Sequence, residues 1–257
     1  MVTRYGVAIL EISGIKKSFG GNKVLDGVDM VVEEGTICQL VGPNGSGKTT
    51  LINIITGLID ADAGRVVYHG TDITKMDLLH SYKTGLIRTW QTPQPFIQLT
   101  AMENLMTASP NNPGESFLTS LIKRRWQDAE RSILDTGREV SEKLNIIKKQ
   151  STQSTNLSGG QQKLLELGKS MMSGARLVLL DEPIAGVNPK LAREIFENIV
   201  HLCREKGLTF LFVEHRLDIS FQYTDKVFAL NRGKIIAEGT ADEVTHHPEV
   251  MESYLGN

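Results

Sequence analysis

The chain has 257 residues with 28 basic and 30 acidic side chains, and a net charge of −2 gives no electrostatic footprint for nucleic acid. Its 2 cysteines, Cys38 and Cys203, lie far apart in apolar segments and read as small reduced core residues, not as a disulfide or a metal pair. The apolar runs near Val7–Leu10, Leu177–Leu180 and Phe210–Val213 fall far short of the ~20 residues that span a bilayer, so no membrane or targeting segment is expected and any membrane role runs through a partner.

Val7–Ile15 alternates as a strand, and Lys16–Gly21 reads as a turn. Val24-Leu25 and Val28–Val32 predict further β structure, so an antiparallel sheet is expected first. Phe19 stands beside the Gly20-Gly21 turn. Its ring suits stacking on a flat base, and it suits equally an ordinary half-buried place; spacing alone favours the second.

Thr36–Val41 then reads as a buried strand entering L-V-G-P-N-G-S-G-K-T-T-L, Leu40–Leu51. Gly42, Gly47, Lys48 and Thr49 occupy the fixed positions of G-x-x-x-x-G-K-[ST], the phosphate-binding P-loop. Glycines at 42, 45 and 47 let the backbone through Pro43, Asn44 and Ser46 curl until its N–H groups share one concavity. The helix that starts with Lys48, Thr49 and Thr50 adds the positive end of its dipole. Lys48 offers a point charge to the β and γ phosphates and Thr49 a hydroxyl to Mg²⁺. Leu51, Ile52, Ile54, Ile55 and Leu58 give that helix an apolar face.

Arg65–Tyr68 is expected as a strand, Met76–Lys83 as a helix and Gly85–Trp90 as a strand running to Gln91. Pro93 and Pro95 exclude regular structure immediately beyond. From about residue 100 the period becomes helical. Thr100 and Glu103 have capping-box spacing, Pro110–Gly114 reads as a loop and Ser116–Arg125 as a short helix. Ile133, Gly137, Val140, Leu144 and Ile147 mark a long helix. Leu157–Gln162 leads into a helix over Gln161–Met172. Its Ser158-Gly159-Gly160 start reads either as a second anion site or as a Ser-capped helix end with turn glycines.

Leu177–Leu180 is apolar throughout, as a buried parallel strand should be, and it delivers Asp181 and Glu182 at its C-terminal end. Asp181 suits the Mg²⁺ shell, and Glu182 suits polarising a water at the γ-phosphate. Ala185–Pro189 is a tight turn and Lys190–Lys206 an amphipathic helix. The strand Leu208–Val213 ends at Glu214-His215, where an imidazole can meet a phosphate oxygen. A hairpin around Asn231–Gly233 and two short helices, Thr240–Thr245 and Pro248–Leu255, close the chain.

These motifs, in this order, resemble the ATP-binding subunits of ABC transporters over nearly the whole chain. Leu157–Gln161 is similar to that family's signature, Gln91 to its glutamine loop, His215 to its switch histidine and Phe19 to its adenine-stacking aromatic. Ala185–Pro189 is similar to the loop that meets the opposite subunit, with Asn188 where many members carry Asp. R-T-W-Q-T-P-Q-P-F at Arg88–Phe96, A-G-V-N-P at Ala185–Pro189 and P-E-V-M-E-S-Y-L-G at Pro248–Gly256 further resemble ATPases of branched-chain amino acid importers. Urea or amide importers and lipopolysaccharide exporters share much of this pattern.

The resemblance implies an α/β P-loop NTPase core with an N-terminal antiparallel β subdomain, over residues 1–99 and 166–257, and an inserted α-helical subdomain over 100–165. It implies hydrolysis of ATP with Mg²⁺, with Glu182, His215, Gln91 and Lys48 in catalysis and Thr49, Gln91 and Asp181 around the metal. It implies a head-to-tail dimer with a second ATP-binding subunit, in which each ATP lies between Gly42–Thr50 and Phe19 of one chain and Ser158, Gly159, Gly160 and Gln161 of the other. Transmembrane permease subunits would dock between core and helical block, a substrate-binding protein would act indirectly, and the chain would sit on the cytoplasmic face of the membrane. A soluble ABC ATPase of DNA or ribosomes is disfavoured by the near-zero charge and the single nucleotide-binding unit. A GTPase is disfavoured by the lack of an N-K-x-D guanine reader, and a binding-only regulator by the intact Glu182.

Overall fold

A computed structural model describes residues 6–110 and 123–255. The expected loop at Pro110–Gly114 and helix at Ser116–Arg125 lie largely outside the described residues. The chain divides into two compact units, one of Met1–Arg88, Arg176–Ala185 and Ala192–Asn257, the other of Thr89–Ala175 and Gly186–Leu191. The second unit is wider than 100–165. It takes in the Gln91 segment and all of the helix after Leu157.

In the first unit β1 (Ala8–Phe19) and β2 (Asn22–Glu33) form a long antiparallel hairpin. The turn expected at Lys16–Gly21 shrinks to Gly20-Gly21, because Lys16, Lys17 and Ser18 keep pairing across to Asp26, Leu25 and Lys23. β4 (Ala63–Tyr68) and β5 (Thr71–Asp72) extend this sheet in the order β2-β1-β4-β5. The second sheet runs β10-β9-β3-β8-β7-β6, with β3 (Ile37–Val41), β6 (Leu86–Arg88), β7 (Leu177–Asp181), β8 (Thr209–Val213) and β9 (Lys226–Asn231) mutually parallel. Only β10 (Lys234–Gly239), at one edge, runs antiparallel to its neighbour. The strand expected over Gly85–Trp90 ends at Arg88, where the side chain is pinned by Asn53 and Asp181 and the chain passes into the second unit.

Helix α1 (Lys48–Ile55) turns Leu51, Ile52, Ile54 and Ile55 into one apolar cluster with Ile12, Val28 and Tyr68 of the antiparallel sheet and Leu40, Leu179 and Leu211 of the parallel one. Cutting such a side chain back to alanine costs about 2–5 kcal/mol, so the cluster fixes where α1 begins. β3 and β8 are buried at every residue and β7 at all but its last. Their period-2 alternation is absent because both faces are covered. The short helix α2 (Leu78–Lys83) is capped by Asp77, whose carboxylate accepts from His80 N.

In the second unit α3 (Ala101–Thr107) starts with the expected capping box between Thr100 and Glu103. The long helix α4 (Lys123–Lys143) stops before Leu144 and Ile147, which lie in the turn beyond it. Helix α5 (Gly159–Met172) places Gly168 against α3, α4 and the turn after α4: a Cβ there would stand 2.7 Å from Leu105 Cδ2, 3.2 Å from Val140 Cγ1 and 2.9 Å from Leu144 Cδ1. Only glycine allows that approach. Asn104 is wholly buried; its amide donates to Phe96 O at 3.1 Å and Ser154 Oγ at 2.6 Å, and its oxygen accepts from Phe96 N at 2.8 Å. It ties the segment after Gln91 to α3. Helix α6 (Pro189–Lys206) runs on into the first unit, where Phe196 meets Phe212 of β8 and stacks on Tyr223. Short helices α7 (Leu217–Ser220), α8 (Ala241–Thr245) and α9 (Pro248–Leu255) complete the chain.

Candidate functional site

β3, β8 and β7 are adjacent and parallel, so their C-terminal ends share one sheet edge. Ligands collect at such edges in open α/β sheets. β3 ends in the P-loop, β8 at Glu214-His215 and β7 at Asp181-Glu182. They surround a cleft of about 410 Å³ lined by Asn44, Gly45, Gly47, Lys48, Thr49, Thr50, Asp181, Glu182 and His215, with Asn22 and Val24 from β2.

The loop itself is built for close approach. Gly42 lies so near Leu230 that a Cβ would stand 2.1 Å from that carbonyl oxygen, and Gly47 has φ 109°. Gly47 is also the N-cap of α1, and among the described residues no side chain caps that helix. Its first-turn N–H groups, which no helix can bond internally, belong to Lys48, Thr49 and Thr50, which line the cleft. Ser46 Oγ is buried, and among the described residues it has no hydrogen-bond partner. Lys48 Nζ curls back to donate to Gly42 O at 2.8 Å and Pro43 O at 3.0 Å. Burial pulls its pKa down, against the opposing pull of Glu182 and Asp181. A polyphosphate would exchange those two carbonyls for anionic oxygens, so the residues fit that group.

Asp181 accepts from Arg88 Nη2 at 2.9 Å, and Arg88 Nη1 also holds Asn53 of α1. The guanidinium is almost wholly buried, so one cation fixes the Asp181 carboxylate relative to the P-loop helix. Glu182 has φ 49°, a left-handed backbone that costs a non-glycine residue about 1–3 kcal/mol. Bonds from Glu182 N to Val213 O at 2.9 Å and from Ala185 N to Glu182 O at 3.1 Å hold it there. Its Oε1 lies 3.4 Å from His215 Nε2. Among the described residues no three His, Cys, Asp or Glu side chains cluster as a metal cage. Thr49 and Asp181 both line the cleft, and a hydroxyl and a carboxylate suit a hard cation such as Mg²⁺.

Phe19 is half exposed at the end of β1, with Lys17 Nζ 5.4 Å from its ring centroid. The remaining expected residues belong to the second unit. Ser158 caps α5: its Oγ accepts from Gln161 N at 3.3 Å, and Gln161 Oε1 accepts from Ser158 N at 3.0 Å. Gln161 thus turns back on its own helix start. Gly160 lies against Leu191, where a Cβ would come within 1.9 Å of Cδ2. Asn188 Oδ1 accepts from Leu191 N at 3.0 Å, a helix-capping task that Asn and Asp perform equally well. Lys163 Nζ reaches Gln91 O at 3.5 Å.

Sequence reasoning missed Arg88, Asn53, Asn22 and Val24. Asn53 had one signal, a polar residue amid the apolar face of α1. Arg88 had only its place at a strand end.

A P-loop at the end of β3, an acid pair at the end of β7 and a histidine at the end of β8 define a P-loop ATPase. The model of the "ABC transporter" family matches residues 25–185, more than half of the chain, and a second model, "Branched-chain amino acid ATP-binding cassette transporter", matches residues 234–257. The chain belongs to the ABC transporter family, in the subfamily of branched-chain importer ATPases, and hydrolyses ATP in the service of transport. It is 43% identical to the probable branched-chain amino acid transport ATP-binding protein LivG of Methanocaldococcus jannaschii, over 96% of this chain and 97% of that one. It is 33% identical to the high-affinity branched-chain amino acid transport ATP-binding protein BraF of Pseudomonas aeruginosa, over 96% and 98%. Among solved structures, a nucleotide-free ATP-binding cassette from an ABC transporter superposes with a TM-score of 0.83 at 42% identity, covering 98% of this chain and 100% of that one. The ADP conformation of an ATP-binding cassette of an ABC transporter does so with the same TM-score at 41% identity and the same coverage.

Proposed function

We propose that this chain energises high-affinity uptake of branched-chain, hydrophobic amino acids through separate membrane permease subunits. The observation that carries the catalytic part is the shared edge of β3, β8 and β7, which gathers the P-loop, Asp181, Glu182 and His215 around one cleft. Support for the substrate is likeness over nearly full length to relatives named for that transport.

In this reading the loop amides of Gly42–Thr50 and Lys48 hold the β and γ phosphates, and Phe19 stacks on the adenine. Thr49 and Asp181 would hold Mg²⁺, which when bound offsets charge on the phosphates. Glu182 takes a proton from the attacking water as its oxygen bonds to the γ-phosphorus. The bond to the ADP oxygen breaks, and phosphate leaves. His215 donates to a γ-phosphate oxygen and orients Glu182. For Gln91 the support is its motif position.

Two copies, or this chain and a second ATP-binding subunit, would pair head to tail, with Ser158, Gly159 and Gly160 of one chain facing the γ-phosphate held by the other. Hydrolysis removes that joining charge, so ATP and ADP favour different states of the pair. The exposed side chains of Trp90, Phe96 and Ile97 suit contact with a permease at the cytoplasmic face of the membrane. Among the described residues no helix is long and apolar enough to cross it.

Glu182→Gln tests the reading. It should keep ATP affinity within about threefold, lower turnover more than a hundredfold and accumulate an ATP-dependent dimer in size-exclusion chromatography. Turnover at the wild-type rate would remove Glu182 from its role.

A further inference from the structure

Glu214 is only 4% exposed, yet it carries a carboxylate and is assigned no part above. Its Oε1 accepts from Ile184 N at 3.0 Å. Its Oε2 accepts from His215 N at 2.8 Å and, at 3.4 Å, from Arg216 N. Its backbone carbonyl accepts from Gln39 Nε2 at 3.5 Å, which adds a link to β3. Burying a carboxylate is costly unless charge-assisted hydrogen bonds offset the lost water. An apolar side chain would fill the same space without that cost, so packing alone does not account for an acid here.

The two oxygens serve two different turns. One turn follows β7 and holds Glu182 in its left-handed conformation; the other follows β8 and presents His215. Across the bridged turns the His215 ring stands 3.4 Å from the Glu182 carboxylate. A shift of either turn by about 1 Å along the line joining the two groups would change that separation by nearly a third. The hydrogen bonds of Glu214 reach both turns at once.

We propose that Glu214 is a positioning residue for ATP hydrolysis: its carboxylate sets the separation and aim of Glu182 and His215, and touches neither nucleotide nor water itself. This rests on the reading that Glu182 and His215 act on the γ-phosphate. Glutamine at this place has one acceptor oxygen, so its NH₂ must face a backbone N–H in one of the two turns. That turn is released while the packing volume is kept.

The test uses the full-length chain and four variants: Glu214→Gln, Glu214→Asp, His215→Ala and the double variant Glu214→Gln/His215→Ala. Steady-state ATPase, equilibrium binding of a fluorescent ATP analogue and thermal melting are read for each. Glu214→Gln should lower kcat at least tenfold while KM and analogue affinity stay within twofold. In the His215→Ala background the same change should cost less than threefold more, because the group it positions is gone. Glu214→Asp keeps the charge on a shorter arm, should recover part of kcat, and carries the test if the Gln variant does not fold. Full additivity in the double variant, or losses in KM and affinity that match the loss in kcat, would overturn the proposal. If His215→Ala is slow and Glu214→Gln is not, the Glu214 assignment alone fails. If His215→Ala itself turns over at the wild-type rate, the underlying reading of the site fails and the proposal with it.

Discussion

Two helices of this chain open on glycine-rich turns, and their N-termini are arranged in opposite ways. α1 begins after Gly47 in a left-handed conformation, and among the described residues no side chain covers its first amides. α5 begins after Ser158, and a complete capping box with Gln161 satisfies two of the donors at its end, Ser158 N–H and Gln161 N–H, from within. The first helix start is thus left to a ligand, while the second is stable without one. Ser158 Oγ accepts from Gln161 N, so its own O–H remains available to donate to an anion. A glycine-rich helix start is therefore not by itself an anion site. What decides the matter is which groups already hold the amides.

That contrast can be broken in three places. The largest effect is expected at Gly42. An alanine Cβ would press to 2.1 Å from Leu230 O and 2.8 Å from Ser46 Oγ, and the loop cannot keep its curl. Gly42→Ala should weaken ATP binding at least a hundredfold by calorimetry and abolish hydrolysis. Affinity within threefold of wild type would show that the amides do not need this curvature. Next comes Ser158→Arg. It should leave ATP affinity within twofold, since α1 holds the nucleotide, yet prevent the ATP-dependent dimer of the Glu182→Gln background. A normal dimer would take the α5 start out of the subunit contact. The smallest effect belongs to Gln161→Ala, which removes half of the capping box. A loss of about 1 kcal/mol is expected, read as a melting point a few degrees lower with ATP affinity unchanged. A fall in affinity instead would mean that Gln161 serves a ligand more than its own helix.

The sequence made the edge of the parallel sheet legible because chemistry there is carried by residues adjacent in the chain. The P-loop, Asp181-Glu182 and His215 each lie at the end of an apolar run, and the structure brings Asn44, Gly45, Gly47–Thr50, both acids and the histidine to the same cleft. The Thr100–Glu103 capping box was legible for the same reason, since it is set by spacing alone. Long-range side-chain bonds were not legible. Nothing near Arg88 announces that its guanidinium would meet Asn53 and Asp181, and nothing at Asn104 announces its hydrogen bonds to Phe96 and Ser154 in the core of the helical unit. Strand ends also shifted. β1 continued past its expected turn because its partner β2 supplied acceptors, and β6 stopped early because its chain leaves the sheet.

The P-loop strand β3 pairs with β8 on one side and β9 on the other, and Ser46 O accepts from Gly233 N at 3.1 Å in the turn between β9 and β10. Both partners and the turn are encoded far downstream. At the ~5–20 residues per second of synthesis, roughly ten to forty seconds separate the emergence of Lys48 from that of Gly233. For most of that interval, until β8 emerges, the apolar strand Ile37–Val41 has neither neighbour, whereas the β1–β2 hairpin can already close. The nucleotide site is thus among the first segments translated and among the last completed, so a nascent chain halted before Lys226 would carry the whole phosphate-binding motif and bind no ATP.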